Sequence, residues 1–381
     1  MAALLVIGVH ATFVAGFTSH SDLGRYAARL EIGVSVFFVI SGFLLYRPFA
    51  LAHFGGRSRP SARTFWVRRL KRIVPAYWVA FLFVTYVLHA DKVKHGWGSL
   101  AIYLGFAQIY FPSHVVSGLT QAWSLCVEMS FYLVLPLWAV LMGSKRRTHQ
   151  VQLRTELAGL AGLVAFSFAF RILAAHWNGL AAQGMPTWLP AFADLFSLGM
   201  LLAVISSWLA VQDRRPAALW HPALPWVSWA LAAVVFCSVS NIGLPLKPLA
   251  SSPIGLSLVR QTLYGLFGFL VVVPAVFGPQ ASGLVRRSLQ LRPIALIGVV
   301  SYGVYLWHEA WIQMFVSWTH DSLFNIPLVE LGLAVTALSI TSATLSYVLV
   351  ERPIRLATRN RGRIAAKPAA PPATTRVAVN A

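Results

Sequence analysis

The chain has 381 residues, of which 57% are hydrophobic and only 11% charged, with a net charge of +20. Soluble domains carry about 25% charged residues, so this deficit and a mean hydropathy of +0.68 exclude an ordinary soluble globule and place most of the chain in lipid. The cationic excess would indicate a nucleic-acid partner in a soluble protein; its placement here points elsewhere, and no nucleic acid is expected.

Apolar runs predict helical spans over 2–17, 32–50, 73–89, 122–142, 157–175, 189–211, 224–241, 256–278, 294–317 and 327–350. The shorter run at 98–112 is too brief to cross and predicts an interfacial or re-entrant piece. The fold class predicted is all-α: a polytopic transmembrane bundle of about ten spans, with one domain over 1–355. The tail, 356–381, is basic and rich in Ala and Pro, a composition expected to be disordered and cytoplasmic. The N-terminus is apolar from Met1 and lacks a basic n-region and an A-x-A site, so it reads as a first span rather than a cleaved signal. That span gives ~24 Å of helix against ~30 Å of hydrocarbon. Two readings follow: a natural start upstream, or local thinning of the bilayer. No internal repeat of the kind found in many transporters is evident.

With the N-terminus taken as cytoplasmic, the inner loops and the tail carry 23 Lys and Arg and the outer loops 5. That bias predicts both termini inside a multi-pass protein of the inner (plasma) membrane, and it makes the basic charge mainly a matter of topology. Cys126 and Cys237 both lie in apolar runs and read as packing residues. No Cys/His cluster has metal-ligand spacing, so neither a metal nor a bound cofactor is expected.

Ionisable groups inside spans are costly and mark function by default. His10 falls ~12 Å from the outer end of the first span, Ser41 ~14 Å, Glu128 ~9 Å and His308 ~14 Å, at about 1.5 Å per residue. A level shared by four helices suggests one buried polar chamber. For His10 two readings stand, a general base or a histidine bonded to a neighbouring helix. Ser41 and Gly42 also fit small-residue helix packing. Gln121, Ser124, Glu128 and Tyr132 are spaced 3, 4 and 4 residues apart and form a polar stripe on one helix face. Its structural reading is a helix-to-helix hydrogen bond. Late in the chain, Ser301, Tyr305 and His308 share a face, and Tyr302, Tyr305 and Glu309 share an overlapping one. Arg171 and Asp194, near the outer ends of consecutive spans, read as a structural ion pair, and Arg47 can snorkel to the inner surface. Arg68, Arg69 and Arg72 lie in a basic amphipathic segment at the inner face, where Arg69 and Arg72 share one helix face. Such a cluster can grip phosphates or anchor against anionic lipid.

These segments together resemble the acyltransferase-3 family of integral-membrane acyltransferases. The motifs are a first-span histidine (His10), G-V-x-x-F-F-x-x-S-G-F (Gly33 to Phe43), R-x-x-R-I-x-P (Arg69 to Pro75), W-S-L-x-x-E (Trp123 to Glu128) and S-Y-x-x-Y-L-W-H (Ser301 to His308). The ending Val350-Glu351-Arg352-Pro353 is also similar to the family, and the resemblance runs from residue 1 to about 355. It implies that His10 is catalytic and that Arg69 and Arg72, joined by Arg68, bind acyl-coenzyme A. Glu128 is then the expected active-site partner, and Ser41, Trp123, Ser124, Tyr302, Tyr305 and His308 are supporting residues. The family pairs its histidine with an arginine eleven residues earlier. Here that position falls before Met1, so either a start upstream supplies the arginine or the chain lacks it.

The mechanism expected is deprotonation of an acceptor hydroxyl by His10 and attack on the thioester. Glu128 is expected to orient His10 or hold the acceptor, and hydroxyls such as that of Tyr305 to face the developing oxyanion. The resemblance implies an acceptor that is a glycan, a lipid-linked intermediate or a secondary metabolite. The rival class is a transporter of a glycan, lipid or small anion, which ten helices and a polar chamber would also fit.

Overall fold

The computed structural model describes residues 2–357, apart from 90–92, 94–95, 116, 145, 178–183, 247–251, 279–282, 284–286, 289 and 321. Nearly all of the basic tail, 358–381, lies outside the described residues. Every predicted apolar run is a helix: α1 (Ala2–Val14), α2 (Gly33–His53), α3 (Ala62–Tyr86), α4 (Trp123–Met142), α5 (His149–His176), α6 (Ala193–Val211), α7 (Leu224–Ser240), α8 (Ile254–Val276), α9 (Arg292–Thr319) and α10 (Leu328–Ser346). Shorter helical turns join them, and no strand occurs among the described residues.

Among the described residues, six helical stretches are long and apolar enough to cross a membrane: those containing α2, α4, α5, α6, α8 and α10. α1 and α7 are shorter apolar helices. The other two are α3, whose first half carries Arg63, Arg68, Arg69, Lys71 and Arg72, and α9, which carries His308 and Glu309. Capping, rather than hydropathy, sets several ends. The Ser61 side chain accepts from Thr64 N at 3.2 Å and starts α3 eleven residues before its apolar run. Thr148 caps α5 in the same way. α1 stops at Gly16, which takes the left-handed conformation (φ 78°) that glycine adopts without a Cβ clash.

Close backbone approach holds the centre of the bundle. A Cβ on Gly42 would sit 2.2 Å from the Phe196 carbonyl oxygen, and one on Gly199 would sit 2.0 Å from that of Val39. α2 and α6 can therefore cross at this distance only because both positions lack side chains. Phe196 carries the contact outward, stacking on Phe38 of α2 at 4.8 Å and on Phe131 of α4 at 4.1 Å. α9 meets α10 through Gly303 against Ala343. α1 packs on α2, α9 and α10, and this lays the first helix against the S-Y-x-x-Y-L-W-H-E segment.

The 98–112 run folds as a short helix, Trp97–Leu104, and a 3-10 turn, Gln108–Tyr110. It is pinned to α3, where Tyr77 Oη donates to the Tyr103 carbonyl at 3.0 Å and Trp78 Nε1 to that of Leu104 at 3.0 Å. The predicted Arg171–Asp194 pair takes a different form. Asp194 is buried and accepts from Ser167 Oγ and Gln261 Nε2, both at 2.9 Å, while Arg171 Nε donates to the Ala191 carbonyl at 2.7 Å. Neutral donors on α5 and α8 reach the carboxylate directly, and the guanidinium lies over the Phe192 ring. The two charges still act on each other electrostatically.

Candidate active site

α1 and α9 build the first part of the site. His10 Nδ1 lies 3.3 Å from Glu309 Oε2. His308 is fully buried beside them, its ring 5.3 Å from that of His10. The Tyr305 carbonyl, 2.8 Å from His308 Nδ1, can only accept, so Nδ1 carries the proton and Nε2 offers a lone pair. That lone pair points into the cluster, 4.0 Å from Glu309 Oε2. Neither His308 Nε2 nor Glu309 Oε2 has a hydrogen-bond partner. The His10 side chain is 31% exposed and that of Glu309 18%, so the cluster is buried on one side and reachable from the other.

The polar stripe of α4 faces inward, as its spacing predicted. Gln121 Nε2 donates to the Leu306 carbonyl at 2.7 Å, and Ser124 Oγ meets Tyr305 Oη at 2.7 Å. Tyr305 Oη also donates to the Gln121 carbonyl at 2.8 Å. With its one proton committed there, Tyr305 Oη has none to offer the oxyanion expected from sequence in this arrangement. Glu128 accepts from Ser41 Oγ and bonds Tyr132, both of which hold it to the α2–α4 seam. His10 therefore meets Glu309, and Glu128 meets Ser41. The expectation that Glu128 orients His10 is corrected, because α9 supplies a carboxylate directly at the imidazole. Trp123 packs on Phe192 at 5.5 Å and on Phe38 at 6.5 Å, and Tyr302 Oη donates to the Ile73 carbonyl at 3.0 Å. Both are structural contacts around the site.

The arginines come next along this path. Arg69 is half-buried, while Arg68 and Arg72 are exposed. Arg69 lies over the Phe65 ring, 5.8 Å from its centroid, and within electrostatic reach of Tyr132, Arg72 and Glu128. Burial lowers the Arg69 pKa from its ordinary value, and Tyr132 and Glu128 oppose that shift while Arg72 adds to it. A guanidinium drawn partly out of water gains more from an anionic ligand than a solvated one. Beyond α10 the chain winds into a π-helix, Tyr347–Glu351, which turns Glu351 inward, 6% exposed, within reach of Arg72 and Arg355. The acidic ending of the last helix thus braces the basic segment of α3. Glu128 is the common member, tied to Ser41 on one side and facing Arg69 on the other.

One buried polar cluster has no counterpart in the sequence reading. Glu156 of α5 is 0% exposed. It accepts from Tyr46 Oη at 2.6 Å and Gln152 Nε2 at 3.0 Å, and lies 2.5 Å from His53 Nδ1. A Cβ on Gly143 would lie 2.5 Å from His53 Nε2, so chain closes over the ring. Hydropathy had put Glu156 in an inner loop. The available signal was Tyr46 and His53, seven residues apart on one face of α2.

A family model described as an acyltransferase domain matches residues 1–351. The chain is 27% identical to acyltransferase MdmB of Streptomyces mycarofaciens over 359 residues, covering 87% of this chain and 82% of that one. It is 27% identical over 368 residues to peptidoglycan O-acetyltransferase OatA of Listeria monocytogenes, covering 93% of this chain and 54% of the relative. A putative peptidoglycan O-acetyltransferase, YrhL of Bacillus subtilis, is 26% identical, with coverages of 85% and 50%. The chain thus spans about half the length of the two peptidoglycan relatives. No solved structure matches it.

Proposed function

The chain belongs to the acyltransferase-3 family, and from that premise we propose that it is an integral-membrane O-acyltransferase that moves an acyl group from acyl-coenzyme A to an acceptor hydroxyl. His10 is the general base and Glu309 the carboxylate beside it. The observation that carries this reading is the 3.3 Å approach of His10 Nδ1 to Glu309 Oε2 between two helices whose buried faces are mainly apolar.

A carboxylate at Nδ1 favours the tautomer with its proton there, which leaves the Nε2 lone pair for the acceptor. Nε2 takes the hydroxyl proton as the acceptor oxygen forms its bond to the thioester carbonyl carbon. Glu309 stabilises the imidazolium that results. The C–S bond then breaks, and the imidazolium returns its proton to the departing thiolate. Arg69 and Arg72, with Arg68 at the rim, hold the phosphates of the coenzyme by charge-assisted hydrogen bonds. Glu128 and Ser41 lie between the arginines and the His10 cluster in this scheme and line the route of the acyl arm.

The basic bias of the even-numbered loops supports ten spans with both termini cytoplasmic, in the plasma membrane. The arginines then face the compartment that holds acyl-coenzyme A. The acceptor is a hydroxyl of a carbohydrate, a glycolipid or a secondary metabolite, and the peptidoglycan O-acetyltransferases among the relatives favour a carbohydrate.

The test is release of free coenzyme A thiol by the purified chain in nanodiscs, with acetyl-coenzyme A and a panel of hydroxyl acceptors. Acceptor-dependent thiol release, with a raised KM for acetyl-coenzyme A in Arg69→Ala/Arg72→Ala, is the expected result. Acceptor flux across proteoliposomes with no thioester cleavage would instead identify a transporter.

A further inference from the structure

We propose that His10, His308 and Glu309 bind a divalent metal ion of the zinc class, and that its binding switches His10 off as a base. The second half rests on the acyltransferase reading above; the first does not.

The donor set is two imidazoles and a carboxylate, which is a zinc-binding combination. Their ligating atoms all lie within 4.8 Å of one another. A tetrahedral zinc with bonds of about 2.0–2.1 Å separates its ligand atoms by about 3.3 Å. His10 Nδ1 and Glu309 Oε2 already stand 3.3 Å apart, and His308 Nε2 and Glu309 Oε2 4.0 Å, so side-chain rotations that bring the widest pair of ligand atoms closer by about 1.5 Å close the set.

Two further observations point to a ligand. His308 Nε2 is a buried atom without a hydrogen-bond partner, and a buried orphan acceptor is costly unless something binds it; Glu309 Oε2 faces the reachable His10 Nδ1 at 3.3 Å. The other nitrogen of His308 is bonded to the Tyr305 carbonyl at 2.8 Å. That second contact is how proteins commonly fix a metal-binding histidine, with the lone pair aimed at the ion. His308 is 0% exposed, whereas the His10 and Glu309 side chains are 31% and 18% exposed. An ion can thus arrive at the two reachable ligands and seat against the third.

The consequence for His10 follows from its tautomer. As a base it keeps its proton on Nδ1 beside Glu309 and its lone pair on Nε2. The metal takes the Nδ1 lone pair, so the proton moves to Nε2. The nitrogen that faces the acceptor then becomes a donor and can no longer accept the hydroxyl proton. Zinc would act as a reversible inhibitor held by the catalytic histidine itself.

The experiment titrates Co²⁺, as a visible probe, and Zn²⁺ into the full chain in detergent micelles. The variants are His308→Gln, Glu309→Gln and His10→Ala, with His176→Ala as the control. Retention on size exclusion identifies folded protein; Glu309→Gln is nearly isosteric and guards against a His308 variant that fails to fold. Expected are one equivalent of Co²⁺ with a d–d band typical of a four- or five-coordinate site, and at least a tenfold rise in Kd in each cluster variant. Unchanged binding is expected in His176→Ala. Zn²⁺ should abolish coenzyme A release in the wild type, and a chelator should restore it. Co²⁺ binding that is indifferent to Glu309→Gln and His308→Gln would overturn the site. Binding at the site without loss of activity would overturn the switch. Full activity in His10→Ala would sink the base assignment while leaving the metal titration to stand on its own.

Discussion

The bundle holds two histidine–glutamate pairs, and they are built in opposite ways. His53 and Glu156 are sealed, with side chains 4% and 0% exposed, and the carboxylate accepts from Tyr46 and Gln152 as well. His10 and Glu309 are 31% and 18% exposed, and Glu309 Oε2 has no hydrogen-bond partner. The same two residue types therefore serve different ends. A carboxylate whose lone pairs are filled by neighbouring helices fixes those helices in place. A carboxylate left short of donors beside a reachable imidazole can act on a ligand. What separates structure from chemistry here is access and the number of donors on the carboxylate, since residue identity is common to both pairs and each contains an unpartnered polar atom, His53 Nε2 in one and Glu309 Oε2 in the other.

Four variants sharpen that comparison, taken from the largest expected effect downward. Glu156→Ala removes the shared acceptor of Tyr46, His53 and Gln152 and should cost about 3–5 kcal/mol of stability, read as a lower Tm in detergent. The KM for acyl-coenzyme A should stay unchanged in whatever protein remains folded; a stable variant with a raised KM would move Glu156 into the site. Glu309→Gln should reverse that pattern. It withdraws the charge that stabilises the imidazolium and should lower kcat about 10–100-fold, or about 1.4–2.7 kcal/mol, with Tm little altered. Arg69→Ala/Arg72→Ala should raise the KM for acyl-coenzyme A about 10-fold or more with a smaller change in kcat, because charge-assisted bonds to phosphate act in binding. A lowered kcat at constant KM would remove the arginines from the donor site. Glu351→Gln should shift that same KM only a few-fold, since its carboxylate acts on the ligand through Arg72.

Much of this was legible before any coordinates. Lipid demands long apolar helices, so the run at 189–211 or 256–278 could hardly be read otherwise. The stripe Gln121, Ser124, Glu128 and Tyr132 faces α2 and α9 as its 3-4-4 spacing requires. The N-terminal ends of α3 and α5 lie outside the apolar runs, because hydropathy treats Arg63 to Arg72 and Arg154 to Glu156 as loop. The caps at Ser61 and Thr148 had already started those helices. The catalytic pairing was harder. Counting residues placed His10 and His308 at one depth, and their rings do meet at 5.3 Å. Depth says nothing about which way a helix is turned, so it could not choose between Glu128 and Glu309 as the partner of His10. The packing shows it: α9 lies on α10 with Gly303 against Ala343, α1 packs on both, and Glu309 stands beside His10. Tyr305 was misread for a similar reason: a hydroxyl in the right place says nothing of where its proton already goes.

The central claim is that the Nε2 lone pair of His10 removes the acceptor proton. The most direct measurement is the rate of acceptor-dependent coenzyme A release by His10→Ala, with acyl-coenzyme A binding followed in parallel by calorimetry. A loss of about 10²–10⁴-fold with donor affinity retained is the predicted result. Wild-type turnover in that variant would contradict the account.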